Sequence, residues 1–132
     1  MKLPTQIQIG SYAPSGIDYW NPFAYSGHVY NCNHAPSGRE LRILNVIDPS
    51  NIIQVGSFDI NNNIFSAYVV EDRAYLADYQ NGLIVINVNN LSNPTKIAQF
   101  FDGGHAYDVE VIGNIAYVAD RGEGLEIIEI LI

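Results

Sequence analysis

Two stretches decide the fold: residues 74–88 read AYLADYQNGLIVINV, and residues 116–130 read AYVADRGEGLEIIEI. A shift of 42 residues superimposes them without a gap, and the same shift places Phe58 on Phe100. A period of about 20 to 50 residues is typical of repeat architectures, in which each repeat is one supersecondary unit. The chain is therefore interpreted first as a repeat protein.

A weaker copy of the repeat precedes these two. Tyr30 matches Tyr75 at a shift of 45 residues, and residues 7–8 match residues 53–54 at a shift of 46. The larger shifts indicate extra residues in the first copy, most of them in the polar insertion 31–40. Together the copies predict a single domain of three repeats, at about residues 6–50, 51–92 and 93–132.

Each repeat contains four short apolar runs separated by Asn, Gly, Asp and Pro. In the last repeat these runs predict strands over 96–101, 107–112, 115–120 and 125–130. The run 83–88 lacks helical periodicity and suits a strand that is buried on both faces. The predicted fold class is all-β, with three four-stranded β-propeller blades of about 42 residues.

The motifs AYLAD at 74–78 and AYVAD at 116–120, each followed by a GLxxI run, resemble the LVIVD-repeat family. The stretch Leu91–Pro94 resembles the SNP turn that the family places before its next strand. The resemblance implies a β-propeller, often in exported or cell-surface proteins, and no common enzymatic activity. It leaves the localisation of this chain undetermined.

Three blades are too few to close a propeller ring, which typically has four to eight. Residues Gln6 to Tyr12 align with an outermost strand, whereas Leu125 to Ile132 align with the third strand of a blade. We therefore expect two copies to exchange these ends and to form a homodimeric six-bladed ring. A piece of a longer propeller, or an open module stacked on another protein, is the alternative.

The charge of the chain limits its partners. Six Lys plus Arg against fourteen Asp plus Glu leave a net charge of −8, which repels nucleic acid and anionic membranes. No apolar run is long enough to predict membrane insertion. The lone cysteine, Cys32, aligns with Ala77 and Ala119 and is predicted to be a buried packing residue.

The loops that follow the outermost and second strands are expected to meet on one face of the propeller, where function in such scaffolds concentrates. The predicted ligand-binding residues on this face are Tyr19, Trp20, His34, Arg39, His105 and Arg121. Tyr19 and the insertion 31–40 are favoured, because Trp20 aligns with Phe65 and Tyr107 and suits a packing role.

A metal site is the rival interpretation of the same face. Its ligands would be His34, His105, Asp78 and Asp120, since imidazole and carboxylate suit zinc and similar ions. Turn chemistry explains the two aspartates more simply, because Asp bonds its own backbone at such positions. No catalytic residue and no cofactor are predicted.

The sequence thus favours a non-catalytic binding or scaffold module that presents a loop-lined face to a protein, peptide or glycan. A metal-dependent enzyme that uses the histidines and aspartates of that face is one alternative. A structural subunit that assembles through its open edges is another.

Overall fold

The computed structural model describes residues 5–35, 39–59, 63–101 and 103–132. Within these residues the chain forms β-strands and no helix, which confirms the all-β class. No helix that could cross a membrane occurs among them. The strands are β1 Tyr19–Tyr25, β2 His28–Asn33, β3 Glu40–Asn45, β4 Ile53–Asp59, β5 Ser66–Val70, β6 Arg73–Ala77, β7 Leu83–Asn87, β8 Thr95–Phe100, β9 His105–Ile112, β10 Ile115–Arg121 and β11 Gly124–Glu129.

The strands form three antiparallel sheets in which neighbours in sequence are neighbours in space. The first sheet has the order β1-β2-β3-β4, the second β5-β6-β7-β8 and the third β9-β10-β11. Strands β1, β5 and β9 of successive sheets contact one another, as the innermost strands of propeller blades do. The three sheets form an open arc of blades.

The sheets are offset from the sequence repeats by one strand. Each predicted repeat begins with an outermost strand, so β4 opens the second repeat but completes the first sheet. The same offset makes β8 the outer strand of the second sheet. The third sheet consequently has three strands in this chain, and the outer edge of β11 carries no fourth strand among the described residues.

Equivalent hydrogen bonds recur in all three sheets and confirm the alignment of the repeats. The amide of Val46 donates to the carbonyl of Gly27 at 3.0 Å, and the amide of Val88 donates to Asp72 at 2.8 Å. In the third sheet the amide of Ile130 donates to the carbonyl of Asn114 at 2.7 Å. The shifts of 45 and 42 residues therefore relate the same backbone positions.

Apolar side chains of neighbouring sheets pack face to face in two clusters. The first cluster joins Leu41 and Ile43 of β3 to residues of the second sheet such as Ile86. The second joins Leu83 and Val85 of β7 to the third sheet. Because alternate residues of β7 enter different clusters, the second sheet is covered on both faces, as its continuous apolar run predicts.

The outer face of the third sheet is exposed at positions that are buried in the other two. Leu41 and Leu83 are 0% and 1% exposed, whereas the equivalent Leu125 is 65% exposed. Ile127 is likewise 64% exposed, although its equivalents in β3 and β7 are fully buried. The repeat thus supplies apolar side chains for a further sheet that this arc lacks.

The prediction of a strand at Gln6 to Tyr12 is wrong for the isolated chain, where these residues are in irregular structure. They pair with no sheet among the described residues. The segment nevertheless packs as the repeat predicts. Gly10 lies so close to the backbone of Pro49 that an added Cβ would overlap the carbonyl oxygen of Pro49. The equivalent Gly56 of β4 approaches the carbonyl of Leu91 in the same way, so the segment lies where an outer strand would lie.

The close approach of Gly56 to Leu91 predicts the effect of adding one methyl group. Gly56→Ala should lower the free energy of unfolding by about 2 kcal/mol, because backbone on both sides must shift to admit the Cβ. Urea denaturation measures this change. Ser57→Ala, at the exposed neighbouring position of β4, should cost less than about 0.5 kcal/mol. Equal stability of the two variants would contradict the close approach.

Candidate functional site

Aromatic and imidazole rings from all three sheets meet on one face of the arc, where the innermost strands begin and the second strands end. The first and second sheets each contribute a residue near the start of the innermost strand and a residue just after the second strand, and the third sheet contributes two residues of its innermost strand. We call this set the aromatic row, and its members are Trp20, His34, Phe65, Tyr79, His105 and Tyr107.

The rings of the row contact one another without interruption. Trp20 and His34 stack with centroids 4.6 Å apart and planes 6° from parallel. His34 contacts Phe65 at 4.8 Å, and Phe65 contacts Tyr107 at 4.7 Å. Tyr79 lies 4.5 Å from His105. Such offset and edge contacts stabilise aromatic pairs beyond their buried area.

Backbone contacts between sheets hold the row in place. Tyr79 and Ala106 exchange two backbone hydrogen bonds of 2.9 Å, which join the end of β6 to β9. In the first sheet the equivalent contact is a side-chain bond, between Nε2 of His34 and the carbonyl oxygen of Ile64 at 2.5 Å. The predicted meeting of these loops on one face is thus seen for the described residues, while 36–38 and 61–62 lie outside them.

Beneath the row lies a layer of buried polar side chains at equivalent positions. Asn33, Asp78 and Asp120 are 2%, 0% and 6% exposed. The Oδ1 of Asn33 accepts from the amide of Asp18, and that of Asp120 accepts from the amide of His105, each at 2.9 Å. These bonds tie the end of the second strand to the start of the innermost strand.

The turn chemistry predicted for the two aspartates is wrong for Asp120. Asp120 bonds the amide of His105 on the neighbouring strand rather than the backbone of its own turn. Asp78 accepts from the side-chain amide of Asn81 at 3.1 Å. Asp78 thus finds its donor within its own turn but on a side chain, whereas the buried carboxyl of Asp120 finds its donor on the neighbouring strand β9.

Burial dominates the acidity of Asp78. Loss of solvent raises the pKa of this carboxyl to about 7, and the hydrogen bond from Asn81 opposes the shift. Burial likewise raises the pKa of the Cys32 thiol to about 12, so this thiol stays protonated at neutral pH. Cys32 is 0% exposed, in agreement with its predicted packing role.

The four residues proposed as metal ligands do not converge. His34 contacts Trp20 and Ile64, whereas Asp78 and Asp120 bond to other partners beneath the row. No group of three or more His, Cys, Asp or Glu side chains that could hold a metal occurs in the described part of the chain.

The structure brings some of the predicted ligand-binding residues together and leaves others apart. Trp20, His34 and His105 belong to the row, and Trp20 remains 45% exposed. Arg121 follows them, with Nη1 donating to Oη of Tyr107 at 3.4 Å, a bond that raises the pKa of the guanidinium. Arg39 is exposed before β3 and takes part in no ring contact among the described residues.

The preference for Tyr19 over Trp20 is not supported by this geometry. Adjacent residues of a strand point to opposite sides. Trp20 enters the row, whereas Tyr19 lies beside Arg42; burial raises the pKa of Tyr19 and the guanidinium opposes that shift. Tyr25 lies at the other end of β1, where its hydroxyl accepts from the amide of Glu71 at 2.8 Å.

Phe65, Tyr79 and Tyr107 are row members that were not proposed as ligand-binding residues. The alignment contained the signal, because Trp20, Phe65 and Tyr107 are equivalent, as are His34, Tyr79 and Arg121. Only the fold shows that the two sets interleave into one row.

Comparison with known families agrees with this architecture. Residues 66–101 and 103–130 match the family described as LVIVD repeat, so these two segments are LVIVD repeats, as the sequence motifs predict. The matched segments are the second sheet and the third sheet with its flanking residues. No curated protein matches the chain.

The raised pKa of Asp78 predicts how stability depends on pH. The carboxyl binds a proton in the native state up to about pH 7 but loses it near pH 3.8 when unfolded. Its stabilising contribution is therefore complete below about pH 4 and is lost as the pH rises through 7. Asp78→Asn should remove this dependence, and asparagine is already present at the equivalent Asn33.

Urea denaturation of both proteins between pH 4 and pH 8, at one chain concentration, measures the effect. The difference in unfolding free energy between Asp78→Asn and wild type should shift in favour of the variant by on the order of 4 kcal/mol over this range. Parallel pH profiles for the two proteins would show that the buried carboxyl titrates normally.

Proposed function

We propose that the chain is a non-catalytic β-propeller binding module whose aromatic row receives a protein, peptide or glycan ligand. The continuous set of ring contacts across three sheets carries this proposal. Aromatic faces with polar groups beside them give large contact areas at low entropic cost, which is why they concentrate at binding surfaces. The family resemblance supports a setting at the cell surface.

A binding role accounts for the row better than a metal-dependent enzyme does. The ring nitrogen of His34 is engaged with a backbone carbonyl, and the Asp120 carboxylate with a backbone amide. Both groups thus position loops. The partly exposed rings of Phe65, Tyr79 and Tyr107 are left to meet a ligand.

We further propose that two copies of this chain close a six-bladed ring. The exposed Leu125 and Ile127 occupy positions that in the other sheets are buried by the next sheet. The segment 6–12 lies where an outer strand would lie and could complete β11 of the second copy. Such exposed apolar strand edges are aggregation sites unless they are covered. The same edges also favour the alternative of a structural subunit that forms open arrays.

The ligand proposal is tested on glycan and peptide arrays followed by titration of the best binder. Tyr79→Ala should weaken binding by about tenfold or more, because a ring at the centre of the row is lost. Tyr25→Ala, at the opposite end of the sheets, should leave the affinity unchanged. Failure to bind any member of either array, or an equal loss in the two variants, would contradict the assignment of the row.

The assembly proposal is tested by light scattering coupled to size exclusion over a wide concentration range. Two chains of 14.6 kDa should give a stable mass of about 29 kDa. Ile127→Asp should yield monomers, whereas Ile97→Asp, on the outer strand of the second sheet, should remain dimeric. A wild-type monomer would refute closure, and polymers that grow with concentration would favour open arrays.

A further inference from the structure

The residue that follows the second strand of each sheet contacts the next sheet of the arc. His34 of the first sheet contacts Phe65 of the second at 4.8 Å. Tyr79 of the second sheet contacts Tyr107 of the third at 5.5 Å and His105 at 4.5 Å. In the third sheet the equivalent residue is Arg121, and this arc has no further sheet for it to contact.

The repeat identifies the residues that would meet Arg121 in a further sheet. Tyr107 is equivalent to Trp20, and His105 is equivalent to Asp18, at the combined shift of 87 residues. Both equivalents begin the first sheet, the sheet that ring closure would bring next to the third. We call the junction between the third sheet of one copy and the first sheet of the other a seam of the ring. We infer that Arg121 of one copy contacts Asp18 and Trp20 of a second copy at each seam, an inference that rests on the ring closure proposed above.

The exposed groups at this seam have matching chemistry. Arg121 is exposed and carries a positive charge, and Asp18 is exposed as well. The Oδ2 of Asp18 accepts from Nε1 of Trp20 at 3.1 Å, so the carboxylate and the indole lie side by side. A guanidinium placed there pairs with the carboxylate while it covers the aromatic face, and tryptophan is the best ring for such a cation.

Trp20 also has room for this contact. One face of its indole stacks on His34 of the same chain, yet the side chain remains 45% exposed. In the second sheet the equivalent Phe65 is contacted both by Tyr79 of its own sheet and by His34 of the preceding one. Arg121 of the second copy would supply the contact that Trp20 lacks from a preceding sheet.

The seam differs chemically from the two junctions inside the chain. The internal junctions place neutral or imidazole rings, His34 and Tyr79, against the next sheet, whereas the seam places a guanidinium against a carboxylate and an indole. A charge pair present at only one junction favours docking of third sheet to first sheet over other pairings of similar apolar faces. We therefore assign Arg121 and Asp18 the role of specifying how two copies pair.

Charge reversal tests the contact. Arg121→Glu and Asp18→Arg should each raise the dimer dissociation constant by about tenfold or more, because each change acts at both seams of a two-fold ring. The double variant Asp18→Arg with Arg121→Glu should recover at least half of that loss on a logarithmic scale. Lys96→Glu, a charge reversal on the outer strand of the second sheet, is the control and should leave the constant unchanged.

Fluorescence of Trp20, the only tryptophan, gives an independent readout. Emission should shift to shorter wavelength as wild-type chains dimerise, and Arg121→Ala should lose most of this shift at concentrations where its mass is that of a dimer. If the single and double reversals form dimers as stable as the wild-type dimer, the seam contact is wrong but ring closure is not contradicted. A wild-type chain that never dimerises would overturn both.

Discussion

Face-to-face packing of neighbouring sheets is the interaction on which the rest of the molecule depends. Strand β7 shows why, because Ile84 and Ile86 pack toward the first sheet while Leu83 and Val85 pack toward the third. Each fully buried aliphatic side chain of this kind stabilises the fold by about 1.5 to 3 kcal/mol. A blade is therefore stable between two neighbours, and the outer blades of this arc each lack one. The chain carries the apolar side chains for that missing neighbour at Leu125 and Ile127.

The aromatic row is a consequence of the same packing. Stacking the sheets in one orientation brings equivalent strand ends to one edge, so residues at matching repeat positions become spatial neighbours. The backbone bridge between Tyr79 and Ala106, and the buried layer of Asn33, Asp78 and Asp120, fix those ends to the sheets. A ligand would contact rings that are held on rigid strand ends. Because these rings are already ordered, binding costs less conformational entropy.

Much of the architecture follows from periodicity alone. The predicted strands of the last repeat lie within two residues of β8 to β11, because buried β-branched runs between Gly and Asn turns leave little choice of structure. The segment 6–12 could not be placed in the same way, since a strand needs a hydrogen-bonded neighbour that periodicity does not supply. The alignment of the segment predicted where it lies, next to the first sheet. The contact of Gly10 with Pro49 agrees with this position, although the segment forms no strand there.

The candidate site was harder to predict than the fold. His34, His105, Trp20 and Arg121 were identified from the loops, yet whether a side chain enters the row depends on strand phase, which separates Trp20 from its neighbour Tyr19. The hydrogen bond of Asp120 joins its strand end to the start of β9, fifteen residues away, so turn chemistry could not reveal it.

The central claim is that a second copy completes the open third sheet, and amide hydrogen exchange of the dimer measures it most directly. In a closed ring the amides on the outer edge of β11 and those of residues 7–12 should exchange as slowly as the hydrogen-bonded amides of β7 and β8, and should lose that protection on dilution. Fast exchange in β11 and in residues 7–12 of a sample whose mass is fully dimeric would show that the two copies associate in some other way.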